Sequence, residues 1–485
     1  MPIVNDDLPF DLPWDEGRTP SEFSAAAFGS DPAGSPAGYR PPGSFPGPSA
    51  GTGGRSTGAA GSFAGPDERS AGLTVAPFRG VRYAAGVDLA AVTSPPYDLI
   101  DDEAIRRLLA ADPHNIVRLI LPVGDPAERY AQARDTLHAW RAAGTLVTDP
   151  TPSLYVYEQS APGLVQRGLI GAVGLRPEAA GVVLPHEDVF PGPVRDRLRL
   201  MGTTGANLEP IFLVYDGDGA TSQIVDTTAT TEQPLADVAT DDGVTHRLWR
   251  VPAADAHAGI AADLKGRQAL IADGHHRYAT YRALQATHRR AGHGPGPWDF
   301  GLALLVDSAH YPPRLGAIHR VLPGLPIGVA VERAKKGFRV AETSGPPAAA
   351  VDKLTAVSGP AFLLGGGDRL FLLTDPDPME LSTAMPPERS DRWRRLDTAV
   401  LDQLLINRLW GITEDEHTVE IVHHDAAAAL SRADRSSGTA VIMNPLPVAE
   451  VLAVAAGGER VPRKSTSFGP KPRTGLLLRL FDTGR

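Results

Sequence analysis

The stretch Gln268-Ala269-Leu270-Ile271-Ala272-Asp273-Gly274-His275-His276-Arg277-Tyr278-Ala279 decides the fold class. Its first half is a short apolar run closed by a turn signal, which reads as a buried strand. From Gly274 to Ala291 the spacing turns helical. A strand handed directly to a helix is the unit of an α/β or α+β chain, a mixed sheet with flanking helices. Gly274 lets the backbone turn tightly and lets a ligand approach the amides. The helix behind it begins with unpaired N–H groups and a partial positive charge, so the corner suits an anion before any side chain is counted. Arg277 falls in the first helical turn, where its planar fork suits phosphate oxygens. His275 and His276 add donors of tunable charge, and Asp273 suits Mg2+ or a substrate hydroxyl. Two plainer readings stand beside this one. Asp273 caps an ordinary turn, or the histidine doublet ligates a metal whose third ligand no spacing reveals.

Working outward, residues 73–77, 154–158, 168–175, 209–215, 245–251 and 300–306 read as strands, as do 115–121 and the closing run 475–481. Residues 101–112, 127–143, 329–338, 397–409 and 448–456 read as helices, with strands at 361–364, 370–373, 419–422 and 440–443. Residues 1–72 differ, being rich in Pro, Gly and Ser; they read as a disordered tail in which residues 8–14 could be a docking peptide. The remainder divides into an N-terminal α/β domain over 73–323 that carries the box. A C-terminal α/β domain over 324–485 follows, whose last basic loop is a candidate to complete the site.

Composition narrows the function classes. With 485 residues, 42% hydrophobic and 21% charged, the chain can bury a sizeable core. The absence of cysteine excludes disulfides, thiolate zinc sites, iron–sulfur ligation and thiol nucleophiles. A net charge of −10 disfavours non-specific binding to nucleic acid. No signal-peptide pattern opens the chain and no apolar run could span a bilayer, so a soluble cytoplasmic protein is expected.

Further blocks hold candidate chemistry. His186-Glu187-Asp188-Val189-Phe190-Pro191-Gly192-Pro193 precedes a helix with Arg195, Arg197 and Arg199. His186 and Glu187 are candidates for general acid or base and Arg197 for a phosphate clamp; a Pro-Gly loop before a solvated helix is the plain alternative. Gly458 with Lys464-Ser465 has the spacing of a P-loop. Arg463, however, occupies the second glycine position and Pro462 removes an amide, so this is no Walker motif. The loop still offers Lys464, Ser465 and Lys471 to an anion. Ser94-Pro95-Pro96-Tyr97-Asp98 reads as a rigid turn, with polar ends lining the pocket as the alternative, and His423-His424-Asp425 reads as a helix cap.

The strand–Asp-Gly-His-His-Arg–helix segment resembles the phosphate-binding box of the ParB/sulfiredoxin-like superfamily, which includes partition CTPases, sulfiredoxin and kinases of free serine. Thr280 stands where that box usually has alanine. The wider chain resembles the uncharacterised bacterial domain of unknown function family 1015. Six ordered blocks carry that likeness: 94–98, 115–118, 184–198, 205–212, the box, and 464–471. The superfamily likeness implies a nucleotide-dependent phosphotransferase acting on a small hydroxylated metabolite, such as a free amino acid. The cofactors would be a nucleoside di- or triphosphate and Mg2+. The partner would be a small-molecule substrate, with neither nucleic acid nor membrane; a homo-oligomer is compatible with it. The alternatives are a ParB-like nucleotide switch and a phosphometabolite-binding protein without turnover.

Overall fold

In a computed structural model the described residues are 72–251, 253–413 and 418–483. The expected tail and docking peptide lie outside them. The larger sheet has nine strands: β1 (Val75–Ala76), β2 (Leu154–Ala161), β3 (Leu164–Gly174), β4 (Val183–Leu184), β5 (Ile211–Tyr215), β6 (Ala236–Ala239), β7 (Thr245–Val251), β8 (Ala269–Asp273) and β9 (Phe300–Asp307). Their order is β4-β8-β5-β9-β3-β2-β7-β6, with β1 also on β3. The sheet is mixed. β8 runs parallel to β4 and antiparallel to β5, while β9 is parallel to β5 and antiparallel to β3. Every residue of β5, β8 and β9 is buried, which explains why these strands read as continuous apolar runs instead of alternating ones.

Two helices frame the end of β8. Helix α1 (Pro191–Thr204) leads away from the 186–190 loop and α2 (His275–Arg290) begins at the glycine turn. Thr280, buried on α2, donates its single hydroxyl proton to His276 O at 2.8 Å, with Val194 O of α1 at 3.4 Å as the alternative acceptor, so the larger residue sits at the contact of the two helices.

A second, six-stranded sheet follows along the chain: β10 (Ile318–Leu322), β11 (Arg339–Thr343), β12 (Phe362–Gly366), β13 (Arg369–Thr374), β14 (Glu420–His423) and β15 (Thr439–Met443), in the order β11-β13-β12-β15-β10-β14. Buried side chains of both sheets, from Phe212 and Leu304 to Leu364 and Val441, belong to one hydrophobic cluster. The final segment then returns to segments that flank the first sheet, in short ladders and bridges of their own. Ser467–Gly469 pairs with Arg314–Gly316, Thr474 bridges Ser94, and Arg479–Leu480 pairs with Ala206–Asn207. Those pairings deliver the basic loop to the end of β8.

Three expectations need correction. Residues 115–121 contain a helical turn, Val117–Ile120, and no strand. Asn115 caps it by accepting from Val117 N at 3.0 Å and anchors it by donating to Ala91 O at 2.7 Å. Burial of Ile116, Leu119 and Ile120 in a helical core outweighs their β propensity. The closing run 475–481 pairs as a strand only at residues 479–480, with one bridge at Leu478. The helix over 397–409 is α-helical only at Asp397–Ala399 and continues as a π-helix over Val400–Leu409, at whose end Trp410 N donates to Leu405 O at 3.0 Å, five residues back. Among the described residues no helix is long and apolar enough to cross a membrane.

Candidate active site

The local backbone explains the box. Gly274 has φ +92°, and a Cβ there would lie 2.9 Å from Ile211 Cγ2, so glycine is required twice over. The first helical bond runs from Tyr278 N to Gly274 O at 2.9 Å. Asp273 is 8% exposed and Arg277 4%. Arg277 grips Asp273 Oδ2 at 2.5 Å, donates to Pro210 O at 2.7 Å, and lies 5.7 Å over the Tyr97 ring. Its guanidinium therefore points into the molecule, toward other charged loops.

Those loops meet there. Lys471 Nζ lies 2.6 Å from Asp273 Oδ1 and 2.5 Å from Asp98 Oδ2, although Lys471 and Asp98 are 373 residues apart. Burial pushes the Asp98 carboxyl up, but Lys471 and Arg277 outweigh it and hold it below the usual range. Burial likewise opposes the charge on Lys471, and the two aspartates outweigh that, raising it. Glu209, buried behind them, accepts from Tyr97 N at 3.1 Å and Thr474 Oγ1 at 3.0 Å, which fixes the Tyr97–Asp98 turn and the end of the basic loop together.

The 186–190 loop is fastened to α2 by the histidine doublet. His186 N donates to His275 Nε2 at 3.3 Å and Phe190 N to His276 Nε2 at 3.0 Å. Both rings accept through Nε2, so when neutral each carries its proton on Nδ1. Burial holds both pKa values below the usual histidine value, with neighbouring His186 and Lys464 adding to it respectively. His275 and His276 thus act first as backbone acceptors that shape the loop, with one Nδ1–H donor each in reserve.

The basic loop closes the arrangement. Fully buried Arg320 on β10 donates to the carbonyls of Arg463 at 3.3 Å and Lys464 at 3.1 Å, and Lys464 is held at φ +54°. A lysine in the left-handed region is strained, and the buried fork maintains it. Ser465 turns inward and donates to Pro462 O, whereas the next residue, Thr466, faces the candidate acid–base pair. Thr466 Oγ1 donates to Glu187 Oε1 at 2.7 Å and lies 2.7 Å from His186 Nε2. A hydroxyl has one proton. With that proton on Glu187, the His186 contact requires Nε2–H as donor. Burial raises the Glu187 pKa, opposed by Thr466 and Lys464, and drives the His186 ring down to about 3.

The structure therefore brings together Asp273, Gly274, His275, His276, Arg277, His186, Glu187, Lys464 and Lys471. Arg197 is set further back. Its fork is committed to Asp196 at 2.6 Å and Ile120 O at 2.6 Å, under the Tyr97 ring. Asp98 stands at the end of a block that reads as a rigid turn with pocket-lining as the alternative, and Glu209 in one that reads as a substrate loop or a plain connection; neither reading assigns the residue a role. Tyr97, Thr466 and Arg320 escaped the sequence reading, although Thr466 adjoins Ser465. Nothing local marks Arg320. Among the described residues no set of three ligating side chains forms a metal cage. Both Asp273 oxygens face cations. A cavity of about 680 Å³ lies elsewhere, lined by His138, Arg141, Ala142, Gly144 and the strand Leu146–Thr148.

A family model described as "Protein of unknown function (DUF1015)" matches residues 75–424. The chain belongs to this family. No curated protein matches the sequence. Similar solved structures include SbnI with a C-terminal truncation from Staphylococcus aureus, 14% identical over 64% of this chain and 87% of that one, with a TM-score of 0.32. A free serine kinase in complex with AMP is 16% identical over 62% and 90%, with a TM-score of 0.30. A conserved hypothetical protein from Pyrococcus furiosus is 16% identical over 62% and 93%, with a TM-score of 0.29. Likenesses this loose assign no role to any residue of the DUF1015 chain.

Proposed function

We propose that this corner binds a nucleoside di- or triphosphate and transfers a phosphoryl group to the hydroxyl of a small metabolite, such as a free amino acid. The observation that carries the reading is the convergence of Lys471, Asp98 and Asp273 at 2.5–2.6 Å on the start of α2, from three distant parts of the chain. Phosphoryl transfer needs positioning and charge neutralisation more than covalent help from the protein. Lys471, Lys464 and the amides after Gly274 are the groups for the phosphate oxygens, with Arg277 bracing Asp273 behind them. Glu187, raised by burial and oriented through Thr466, suits the proton. The substrate oxygen would bond to phosphorus as the bond to the leaving nucleotide oxygen breaks, and Glu187 would take the hydroxyl proton. Mg2+, when bound, would neutralise phosphate charge. It would arrive on the nucleotide, with Asp273 as the candidate carboxylate, since no protein cage is present among the described residues.

A second reading, a phosphometabolite binder without turnover, is favoured by the two cations already on Asp273. The test is thermal shift and phosphate transfer from ATP with Mg2+ across a panel of hydroxy-amino acids. A nucleotide-dependent shift with a phosphorylated product supports the kinase. A shift with no product supports the binder, and no shift with ATP, ADP or pyrophosphate overturns both.

A further inference from the structure

Phe190 begins α1 at the capping position, where Ser, Thr, Asp or Asn would satisfy an amide and phenylalanine cannot. It is also the one aromatic among the large apolar side chains exposed in the described residues, at 41%. Its backbone is nonetheless pinned to the box through His276 Nε2 at 3.0 Å. The ring lies within 11° of parallel to the His276 imidazole, at 6.0 Å between centroids. Over it, at 4.2 Å, lies the Arg463 guanidinium from the basic loop. That guanidinium has no carboxylate partner among the described residues, and the residue is exposed. Three flat groups are thus layered beside the helix start. The outermost is held only by its attraction for the ring, worth little at an exposed site.

We propose that Phe190 and Arg463 form a clamp for the base of a nucleotide, with Arg463 lifting off to let the base lie on the Phe190 ring. The proposal deepens the phosphate-binding reading above and rests on it for where the nucleotide's other end goes. Stacking on an aromatic ring and under a guanidinium is a general way to hold a nucleobase. A lone ring beneath an arginine offers too little apolar area for a protein partner. The placement also makes chemical sense. Phe190 is anchored by the residue two after Gly274, so base and phosphates would occupy adjoining parts of one surface.

The full chain tests this by calorimetry with ADP, pyrophosphate and adenosine. Loss of one stacking partner typically weakens binding by about tenfold or more. Phe190→Ala is expected to weaken ADP by that factor and leave pyrophosphate unchanged. Arg463→Ala should weaken ADP several-fold. Phe190→Trp should retain ADP binding and show quenched indole emission with ADP and with adenosine, not with pyrophosphate. Equal weakening of ADP and pyrophosphate by Phe190→Ala, or ADP binding that ignores it, overturns the clamp. Pyrophosphate failing to bind while adenosine still quenches Phe190→Trp overturns the phosphate reading and keeps the clamp. Pyrophosphate binding with no quenching by ADP does the reverse.

Discussion

Two charge networks in this protein look alike and arise differently. Across the larger sheet Asp237, Arg247, Glu158 and Arg167 form a ladder, with contacts of 3.0, 3.1 and 2.5 Å. Each contact joins residues directly opposite in strand register: Asp237 to Arg247, Arg247 to Glu158, and Glu158 to Arg167. That ladder follows from the pleat, which sets facing side chains close together. The Asp98–Lys471–Asp273–Arg277 network has no such origin. Only Asp273 belongs to a strand of the larger sheet, at its last residue; Lys471 comes from a loop and Asp98 from the short 3-10 turn Tyr97–Leu99. A network that sheet geometry explains is a stability device. One that gathers loops at a glycine turn requires another reason, and the proposed anion binding would supply it.

Substitutions should separate the two. The largest effect is expected for Lys471→Ala, which leaves two aspartates facing each other. Breaking a buried pair costs about 3 kcal/mol or more, readable as a lower urea midpoint, and pyrophosphate binding should vanish. Wild-type stability with intact binding would remove the corner from consideration. Because the Asp98 carboxyl is held low in the folded state, its contribution is present above the unfolded pKa and lost as pH falls through the folded one. Asp98→Asn should therefore flatten the acid limb of the stability curve. Next, Arg277→Ala is expected to weaken pyrophosphate by about tenfold or more, as loss of a charged hydrogen-bonding group does. Calorimetry that finds unchanged affinity would contradict it.

Glu158→Gln should lower stability by about 1 kcal/mol, the scale of a cross-strand pair, with nucleotide binding untouched. A loss of binding there would erase the distinction drawn above. The smallest effect concerns a carboxyl in neither network. Burial, with Glu450 adding to it, raises the Asp397 pKa to about 7. The folded state prefers the protonated acid, so this contribution is full below the unfolded pKa and is lost as pH rises toward 7. Asp397→Asn should abolish that decline between about pH 4 and pH 7, measured as Tm at each pH.

The sequence was informative wherever local periodicity and turn chemistry decide the outcome. The run ahead of Asp273, the glycine at 274 and the helix to residue 290 were all legible, because burial on both faces and a left-handed turn leave direct marks. Asn115–Leu121 misled because β-branched residues suit a strand in isolation, and only the core they enter selects the helical turn. The charged blocks were recognisable as blocks, yet their partners were not. Nothing between Asp98 and Lys471 announces that the two will touch, and the order of strands that makes them touch is a long-range property. Thr466 was missed in favour of Ser465 because a one-residue rotation of the loop decides which hydroxyl turns outward, and buried Arg320 sets that rotation from another sheet.

Lys471 joins Asp273 from far along the chain, and that has a consequence during synthesis. Ribosomes add roughly 5–20 residues per second, so the aspartate waits on the order of tens of seconds for its ammonium. Over that interval every strand of both sheets can emerge while Asp273 and Asp98 still lack that cation. On the proposed function, a nascent chain would fold much of its framework before it could capture a phosphate, and capture would wait for Lys471.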